Sequence, residues 1–242
     1  MTDTLRLAHC SDIHLDGDAS GLNGSAQDYY REGFARVLAE MCGHKPDLML
    51  VAGDLFDSNT ATDGTINWAM DILSQQPVPV VMIPGNHDCL EEGSIYHRYD
   101  FNRIPNVQML ATAIGTIARI PELSVAVWGK GMVEHAPEYS PLGGCPERPS
   151  DADWYFGMGH GIYVPHGGET HRSSPIHMQE IEDSHCDYLA LGHHHAALKL
   201  VSEKASAAYC GSPTDTIGRG ATYIMVDLEQ GTAPAVTVHA IS

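Results

Sequence analysis

The chain has 242 residues, of which 13 are Lys or Arg and 31 are Asp or Glu, so its formal net charge is −18. That acidic balance repels polyanions at long range and excludes the strongly basic surface of a typical nucleic-acid-binding domain. The length fits one large domain or two small ones, and a hydrophobic content of 43% is ample for a core. Because we find neither a repeat nor a convincing boundary, we expect a single domain over residues 1–242.

The sequence carries no signal for export or for membrane insertion. Its six cysteines stand singly, without CxxC or zinc-finger spacing, and this pattern predicts free thiols in a reducing compartment. The N-terminal stretch MTDTLRLAHCSDIHL lacks the apolar core of a signal peptide, and no apolar run approaches the roughly 18 to 20 residues that span a bilayer. We therefore expect a cytoplasmic protein that does not associate with membranes.

The first half of the chain alternates predicted strands and helices. Apolar runs over residues 5–12, 46–54 and 78–88 are typical of buried strands. Between them, residues 29–42 and 65–76 place their apolar side chains on one helical face each. This alternation predicts buried, largely parallel strands with helices packed outside them.

The second half of the chain is dominated by strands. Residues 124–131 and 154–161 are predicted strands separated by a Pro- and Gly-rich loop, and a short helix over 178–186 precedes another strand over 188–195. Four short strands follow, over residues 198–203, 205–212, 221–228 and 235–241. A run of strands without helices predicts a meander or a second sheet.

Five of the predicted strands end on polar side chains of the types that bind metals. These are Asp12 with His14, Asp54, Asn86 with His87 and Asp88, His160, and His193 with His194 and His195. Taken singly, Asp12 with His14 fits an ordinary turn, and His160 fits a buried core histidine. Since sheets rich in parallel strands place ligands just beyond the carboxyl ends of their strands, we expect the five sets to converge.

The composition of this set indicates metal chemistry. Carboxylate, imidazole and amide donors without a thiolate suit divalent ions such as Mn, Fe or Zn. The donors are more than one such ion needs, whereas two ions about 3.5–4 Å apart that share a carboxylate would use them all. The sequence therefore predicts a binuclear site.

The order and spacing of these blocks resemble the calcineurin-like metallophosphoesterases. That family's pattern is D-x-H, GD-x-x-D, GNH-D/E, a histidine and GH-x-H, and here it reads DIH (12–14), GDLFD (53–57), GNHD (85–88), His160 and GHHH (192–195). The resemblance implies an α/β fold, a four-layer αββα sandwich of two mixed β-sheets flanked by helices. It also implies that the late strands build the second sheet.

The resemblance also implies a role for each residue of the blocks. Asp12, His14 and His195 would hold one metal, Asn86, His160 and His193 would hold the other, and Asp54 would bridge both. His87 would be the general acid, while Asp57 and Asp88 would orient ligands, Asp88 through His87. His166 is the alternative to His160 as fourth-block ligand. Mn is the expected metal, although Fe, Zn, Co and Ni suit the same donors.

The expected activity is hydrolysis of a phosphate ester, most simply a nucleotide-like or other small phosphodiester, by a water activated between two metal ions. The loop from Gly161 to Pro175 follows a ligand-bearing strand, and its Arg172 is our candidate for substrate binding. Arg98, Arg103, Arg172 and Lys130 are candidates for basic residues that offset the acidic net charge near the site if the substrate is DNA, and each also fits a solvated surface. The sequence leaves open whether the ester is a diester, a monoester or DNA, and it does not fix the oligomeric state.

Two alternative functions remain. GDLFD, GNHD and YCGSP (209–213) resemble the SbcD-type DNA-repair exonuclease branch, which implies an ATPase partner and a further DNA-gripping domain. Because the chain ends at Ser242 and is strongly acidic, we expect weak binding to duplex DNA. The other alternative is a non-catalytic scaffold of the same fold, but a scaffold would be expected to lose ligands, and His87 and the full set are present.

Overall fold

Two six-stranded β-sheets lie face to face in this protein, as a computed structural model shows for residues 3–18, 26–202, 204–214 and 218–241. In chain order the strands are β1 (Thr4–Cys10), β2 (Leu48–Ala52), β3 (Val80–Ile83), β4 (Val107–Met109), β5 (Thr116–Ile120), β6 (Val125–Gly129), β7 (Trp154–His160), β8 (Ile162–Val164), β9 (Pro175–His177), β10 (Tyr188–Gly192), β11 (Ala197–Val201), β12 (Ser206–Cys210), β13 (Thr222–Glu229) and β14 (Ala235–Ala240). The helices are α1 (Ala26–Gly43), α2 (Asp63–Ser74), α3 (Ile95–Arg98) and α4 (Met178–Glu182).

Both sheets are mixed and have a parallel centre. The first has the order β14-β13-β1-β2-β3-β4, in which β1 to β4 are parallel and β13 and β14 add antiparallel pairings at one edge. The second has the order β11-β12-β10-β7-β6-β5, in which β12, β10, β7 and β6 are parallel. Its edge strands β11 and β5 are antiparallel to their neighbours. The parallel centres confirm the interpretation of the continuous apolar runs.

Strand β2 shows why these runs are apolar on both faces. Leu48, Leu50 and Ala52 belong to the core between the two sheets. Met49 and Val51 point the other way and pack with the apolar faces of α1 and α2. Since successive side chains of a strand alternate between its faces, a strand covered on both sides must be apolar throughout.

The second sheet also has an outer cover, so the protein has four layers. Met178 and Ile181 of α4 and Leu142 of the β6–β7 loop pack on its outer face. This outer layer is thin, because α4 is a five-residue helix and the rest of the cover is loop. The predicted α/β sandwich of two mixed sheets is confirmed.

One topological expectation was wrong. The late strands do not all build the second sheet, because β13 and β14 return to the first sheet, where β13 pairs with β1. Alternating apolar residues show that a strand has a buried face but do not identify its pairing partner. Strands β4, β5, β8 and β9 were not predicted, since each is short and irregular in pattern.

The two long helices lie where the apolar periodicity predicts them. Helix α2 begins at Asp63, two residues before the predicted start, because the Thr62 side chain accepts a hydrogen bond from the Thr65 N–H and caps the helix. Among the helices of the described ranges, none combines the length and the apolar character that a membrane crossing needs.

The two sheets approach each other closely where β10 ends. A Cβ atom added to Gly192 would lie 2.0 Å from the Ala52 carbonyl oxygen of the first sheet and 2.7 Å from His160 Nδ1. Both separations are far inside van der Waals contact, so no side chain fits at this position.

Gly192→Ala should therefore lower the free energy of unfolding by at least about 2 kcal/mol, because overpacking against the backbone forces the sheets apart. Urea denaturation measures the change. The control is Gly64→Ala in α2, where an added Cβ meets nothing within 4 Å and where alanine should stabilise the helix by up to about 1 kcal/mol. Equal stability of the two variants would contradict the close approach of the sheets.

Candidate metal centre

The predicted ligands gather at one end of the sandwich, beyond the carboxyl ends of strands from both sheets. From the first sheet, Asp12 and His14 follow β1, Asp54 follows β2 and Asn86 follows β3. From the second sheet, His160 is the last residue of β7, and His193 and His195 follow β10. The site therefore requires both sheets, and the close approach at Gly192 brings its two halves together.

Asp12, His14 and His195 form one group. The Nε2 atoms of His14 and His195 lie 3.1 Å apart, and His195 Nε2 lies 3.7 Å from Asp12 Oδ1. Asp12 is fully buried and accepts the His193 backbone N–H at 3.0 Å. Two imidazole nitrogens and a carboxylate oxygen that face one another are a donor set for a cation.

Asn86, His160 and His193 form the second group. Asn86 Oδ1 lies 2.8 Å from His193 Nδ1 and 3.0 Å from His160 Nε2. The other ring nitrogen of His160, Nδ1, lies 2.8 Å from the Ala52 carbonyl oxygen. Because a carbonyl only accepts, Nδ1 carries a proton and Nε2 is the atom that faces the group.

Asp54 lies between the two groups. Its Oδ2 atom is 3.2 Å from His160 Nε2 and 3.8 Å from His14 Nε2. Its Oδ1 atom accepts the His87 backbone N–H at 2.9 Å. A Cβ added to Gly85 would lie 2.1 Å from that Oδ1, so the turn after β3 passes the carboxylate as closely as the backbone allows.

The buried charges of the site shift its pKa values in opposite directions. Burial alone would raise the pKa of Asp54, but the neighbouring His160 outweighs it and lowers that pKa. Burial alone would lower the pKa of His160, yet the charges of Asp54 and Asp12 raise it to about 9. Carboxylates that stabilise a proton this strongly also stabilise a metal cation, which would compete with that proton for the histidine.

Asp57 lies beside two histidines of the site. Its Oδ1 atom is 3.0 Å from His14 Nδ1, and its backbone carbonyl is 2.8 Å from His87 Nδ1. A carboxylate on the far ring nitrogen of a metal-binding histidine fixes the orientation and the tautomer of the ring. His14, Asp57 and His87 also lie close enough together to form a possible third donor group.

Asp88 does not contact His87 as expected from the sequence. It is fully buried, and its carboxylate accepts the N–H groups of Gly85, Leu55 and Phe56 at 2.7, 2.9 and 3.2 Å. The Tyr96 hydroxyl donates to it at 2.6 Å. Asp88 thus ties the turn after β3 to the turn after β2. The side chains of His87 and Asp88 point in different directions because the two residues are adjacent in a turn. Asp57, rather than Asp88, contacts the His87 ring.

The remaining candidates from the sequence lie apart from the ligand groups or at their edge. His166 is exposed, with its Nε2 atom 3.5 Å from Glu182, whereas His160 lies within the ligand set. His194 is exposed and turns back toward the Ala196 carbonyl. Arg98 donates to the Asn59 carbonyl, Arg103 pairs with Asp100, and Lys130 donates to carbonyls of its own loop. Arg172 lines a cavity together with His193 and His195.

His135 is a residue of the site that sequence reasoning missed. It belongs to the β6–β7 loop, and its ring centroid lies 5.5 Å from that of His193 in an edge-on arrangement. Burial and the charge of His160 lower its pKa. No sequence signal distinguishes it, because it follows no strand and lies among the prolines and glycines of a long loop.

Several of the candidate ligands have a left-handed backbone, which non-glycine residues seldom adopt. The φ angles are 55° at Asp12 and His14, 52° at Asp54 and 98° at His193. Each costs on the order of 1–3 kcal/mol and persists only where the surrounding structure enforces it. Their concentration at this end of the sandwich indicates that the backbone is shaped to aim these side chains.

Comparison with known proteins agrees with this geometry. The DNA double-strand break repair protein Mre11 of Nanoarchaeum equitans is 31% identical over 85 residues, which are 34% of this chain and 23% of that protein. A probable cyclic nucleotide phosphodiesterase of Fibrobacter succinogenes is 31% identical over 128 residues, 47% of each protein. The chain thus matches less than half the length of either relative.

The fold has solved counterparts as well. The crystal structure of a dimetal phosphatase from Danio rerio superposes with a TM-score of 0.63 at 9% identity, over 98% of this chain and 99% of that one. At that identity the likeness concerns the fold alone. The sequence comparison goes further, because the family model described as Calcineurin-like phosphoesterase matches residues 5–197, most of the chain. This protein therefore belongs to the calcineurin-like phosphoesterase family.

Proposed function

We propose that this protein is a binuclear metal-dependent phosphodiesterase that hydrolyses a nucleotide-like or other small phosphodiester. The proposal depends above all on Asp54, because its Oδ2 atom faces an imidazole of each ligand group, at 3.2 and 3.8 Å. A carboxylate shared by two ions needs this position. The similarity to a probable cyclic nucleotide phosphodiesterase supports the choice of a diester.

The donor atoms fit divalent ions of the first transition row. Two ligand atoms that bind one ion at about 2.0–2.2 Å lie roughly 3 Å apart, which agrees with the 3.1 Å between His14 Nε2 and His195 Nε2. We assign Mn as the preferred metal, and Fe, Zn, Co and Ni accept the same donors. When bound, such a pair of ions activates a water and polarises the phosphoryl oxygens.

His87 is our candidate for the proton donor to the leaving group. Its backbone N–H is held by Asp54, and its Nδ1 atom faces the acceptor-only carbonyl of Asp57, so that Nδ1 carries a proton. The ring lies edge-on to His14 at 4.6 Å between centroids, and its side chain is 42% exposed. The Nε2 atom is therefore the one that can reach a substrate oxygen. Asp57, rather than Asp88, orients this ring.

A DNA exonuclease is the second candidate function, because part of the chain is similar to Mre11. The chemistry would be the same, and the substrate would differ. The net charge of −18 opposes strong binding to the DNA backbone, since non-specific affinity depends on phosphates neutralised by Lys and Arg. A scaffold without activity is disfavoured by the complete ligand set.

The first prediction from this proposal concerns substrate class. The Mn-loaded protein should hydrolyse bis(p-nitrophenyl) phosphate and cyclic nucleotides faster than p-nitrophenyl phosphate. A labelled DNA duplex should bind with a dissociation constant no tighter than about 10⁻⁵ M near physiological salt, measured by fluorescence anisotropy. Nanomolar binding with cleavage of the duplex would instead favour the exonuclease.

The second prediction concerns Asp54. Asp54→Ala should lose both ions and essentially all hydrolysis, because the carboxylate serves both ligand groups. Elemental analysis after Mn loading should find two ions per chain in the wild type, and circular dichroism should show that the variant is folded. Asp71→Ala, on the exposed face of α2, is the control and should keep both metal ions and the hydrolytic activity. A wild type that binds only one ion would contradict the binuclear assignment.

The third prediction separates proton donation from positioning. His87→Ala should keep its metals and lose about 10²–10⁴-fold in rate on alkyl phosphodiesters, whose leaving groups need a proton. The loss should be much smaller on p-nitrophenyl esters, whose leaving group is stable as an anion. His97→Ala, which removes an exposed imidazole of α3, is the control and should keep both rates. Equal losses by His87→Ala on the two ester types would assign His87 to positioning or charge stabilisation.

A further inference from the structure

A cavity of about 270 Å³ opens beside the candidate metal centre. Its wall includes His193 and His195, one candidate ligand from each group, so a substrate at the metal centre would adjoin it. Drug-sized ligands occupy pockets of roughly 300–1,000 Å³, and this cavity suits a smaller group.

Two arginines from separate segments line this cavity. Arg172 lies between β8 and β9, and Arg219 lies between β12 and β13. Both side chains are exposed.

The described residues that line this cavity include two arginines. Acidic residues outnumber basic ones by 31 to 13 in the chain, yet no carboxylate of the described residues lines the cavity. By contrast, the cavity beside Trp154 includes Asp187 and Glu229. A wall that presents two guanidinium groups favours an anion, and a guanidinium matches a phosphate with paired hydrogen bonds.

We propose that Arg172 and Arg219 bind a second, non-reacting phosphate of the substrate. The preferred substrate is then a phosphodiester of a nucleoside that carries a further phosphate on the same sugar. This inference rests on the proposed phosphodiesterase activity. The reacting phosphodiester lies at the metal ligands, and the second phosphate occupies the cavity beyond His193 and His195.

The test compares two chromogenic diesters that differ only in that phosphate. These are the p-nitrophenyl ester of thymidine 5′-phosphate and the same ester with a 3′-phosphate. The wild type should show a KM at least about tenfold lower for the doubly phosphorylated ester, since at least one charge-assisted hydrogen bond is added. Arg172→Gln and Arg219→Gln should each raise that KM about tenfold, the effect of one hydrogen bond to a charged group. Their kcat should not change, because the contact exists before and during the reaction.

The matched control is Arg103→Gln, which removes an equal charge from an arginine whose side chain is 85% exposed and pairs with Asp100. Arg103→Gln should leave the KM of both esters unchanged. Arg172→Gln and Arg219→Gln should leave the KM of the singly phosphorylated ester unchanged. Equal KM values for the two esters in the wild type would overturn the proposal. So would an increase in KM by Arg103→Gln as large as the increase by Arg172→Gln or Arg219→Gln.

Calorimetric binding of thymidine 3′,5′-bisphosphate and thymidine 5′-phosphate distinguishes this proposal from the phosphodiesterase assignment. Tighter binding of the bisphosphate that is lost in Arg172→Gln and Arg219→Gln supports the cavity even if neither ester is hydrolysed. In that case the proposed phosphodiesterase activity alone is wrong. Equal binding of both nucleotides contradicts the cavity proposal whatever the enzyme hydrolyses.

Discussion

The contact between Asp54 and His160 is the interaction on which the rest of the site depends. Asp54 follows β2 of the first sheet, and His160 ends β7 of the second, so this contact of 3.2 Å joins the two sheets at their carboxyl ends. This contact exists only because the sheets approach closely there. The space at position 192 is too small for any side chain, so only glycine fits. A widening of this gap would separate the two ligand groups from each other.

The accumulation of acidic groups explains why this end of the sandwich needs positive charge. Asp12, Asp54 and Asp88 are all buried within a few residues of their strand ends. Asp88 is stabilised by three backbone N–H groups and a tyrosine hydroxyl, and burial with the Asp54 charge raises its pKa. Asp12 and Asp54 face imidazoles instead. Two divalent ions would neutralise these carboxylates and use the histidines as neutral ligands, which is the arrangement we propose.

The sequence predicts the buried parallel strands and the place where the candidate ligands meet for the same physical reason, whereas the four-layer sandwich was implied by the resemblance. Buried parallel strands read as continuous apolar runs, and polar residues directly after such runs must meet at one edge of the sheet. The five blocks of polar residues could therefore be located without a structure, and the resemblance to the calcineurin-like family narrowed them to seven ligands: Asp12, His14, Asp54, Asn86, His160, His193 and His195. The β13 and β14 strands were assigned to the wrong sheet because partner choice depends on contacts distant in the chain.

The details that were missed depend on orientation rather than on residue type. Asp88 and His87 are neighbours in the chain, yet their side chains point apart, and Asp57 takes the predicted place of Asp88 beside His87. His135 reaches His193 from a loop whose path no periodic pattern encodes. The positive φ angles at Asp12 and His193 likewise depend on the packing around them, since such angles are uncommon for any residue other than glycine.

The most direct test of this account is anomalous diffraction from crystals of the Mn-loaded protein, recorded on both sides of the Mn absorption edge. The account predicts two anomalous peaks about 3.5–4 Å apart, with Asp54 between them, one beside His14 and His195 and the other beside Asn86, His160 and His193. A single peak, or two peaks that Asp54 does not join, would contradict it.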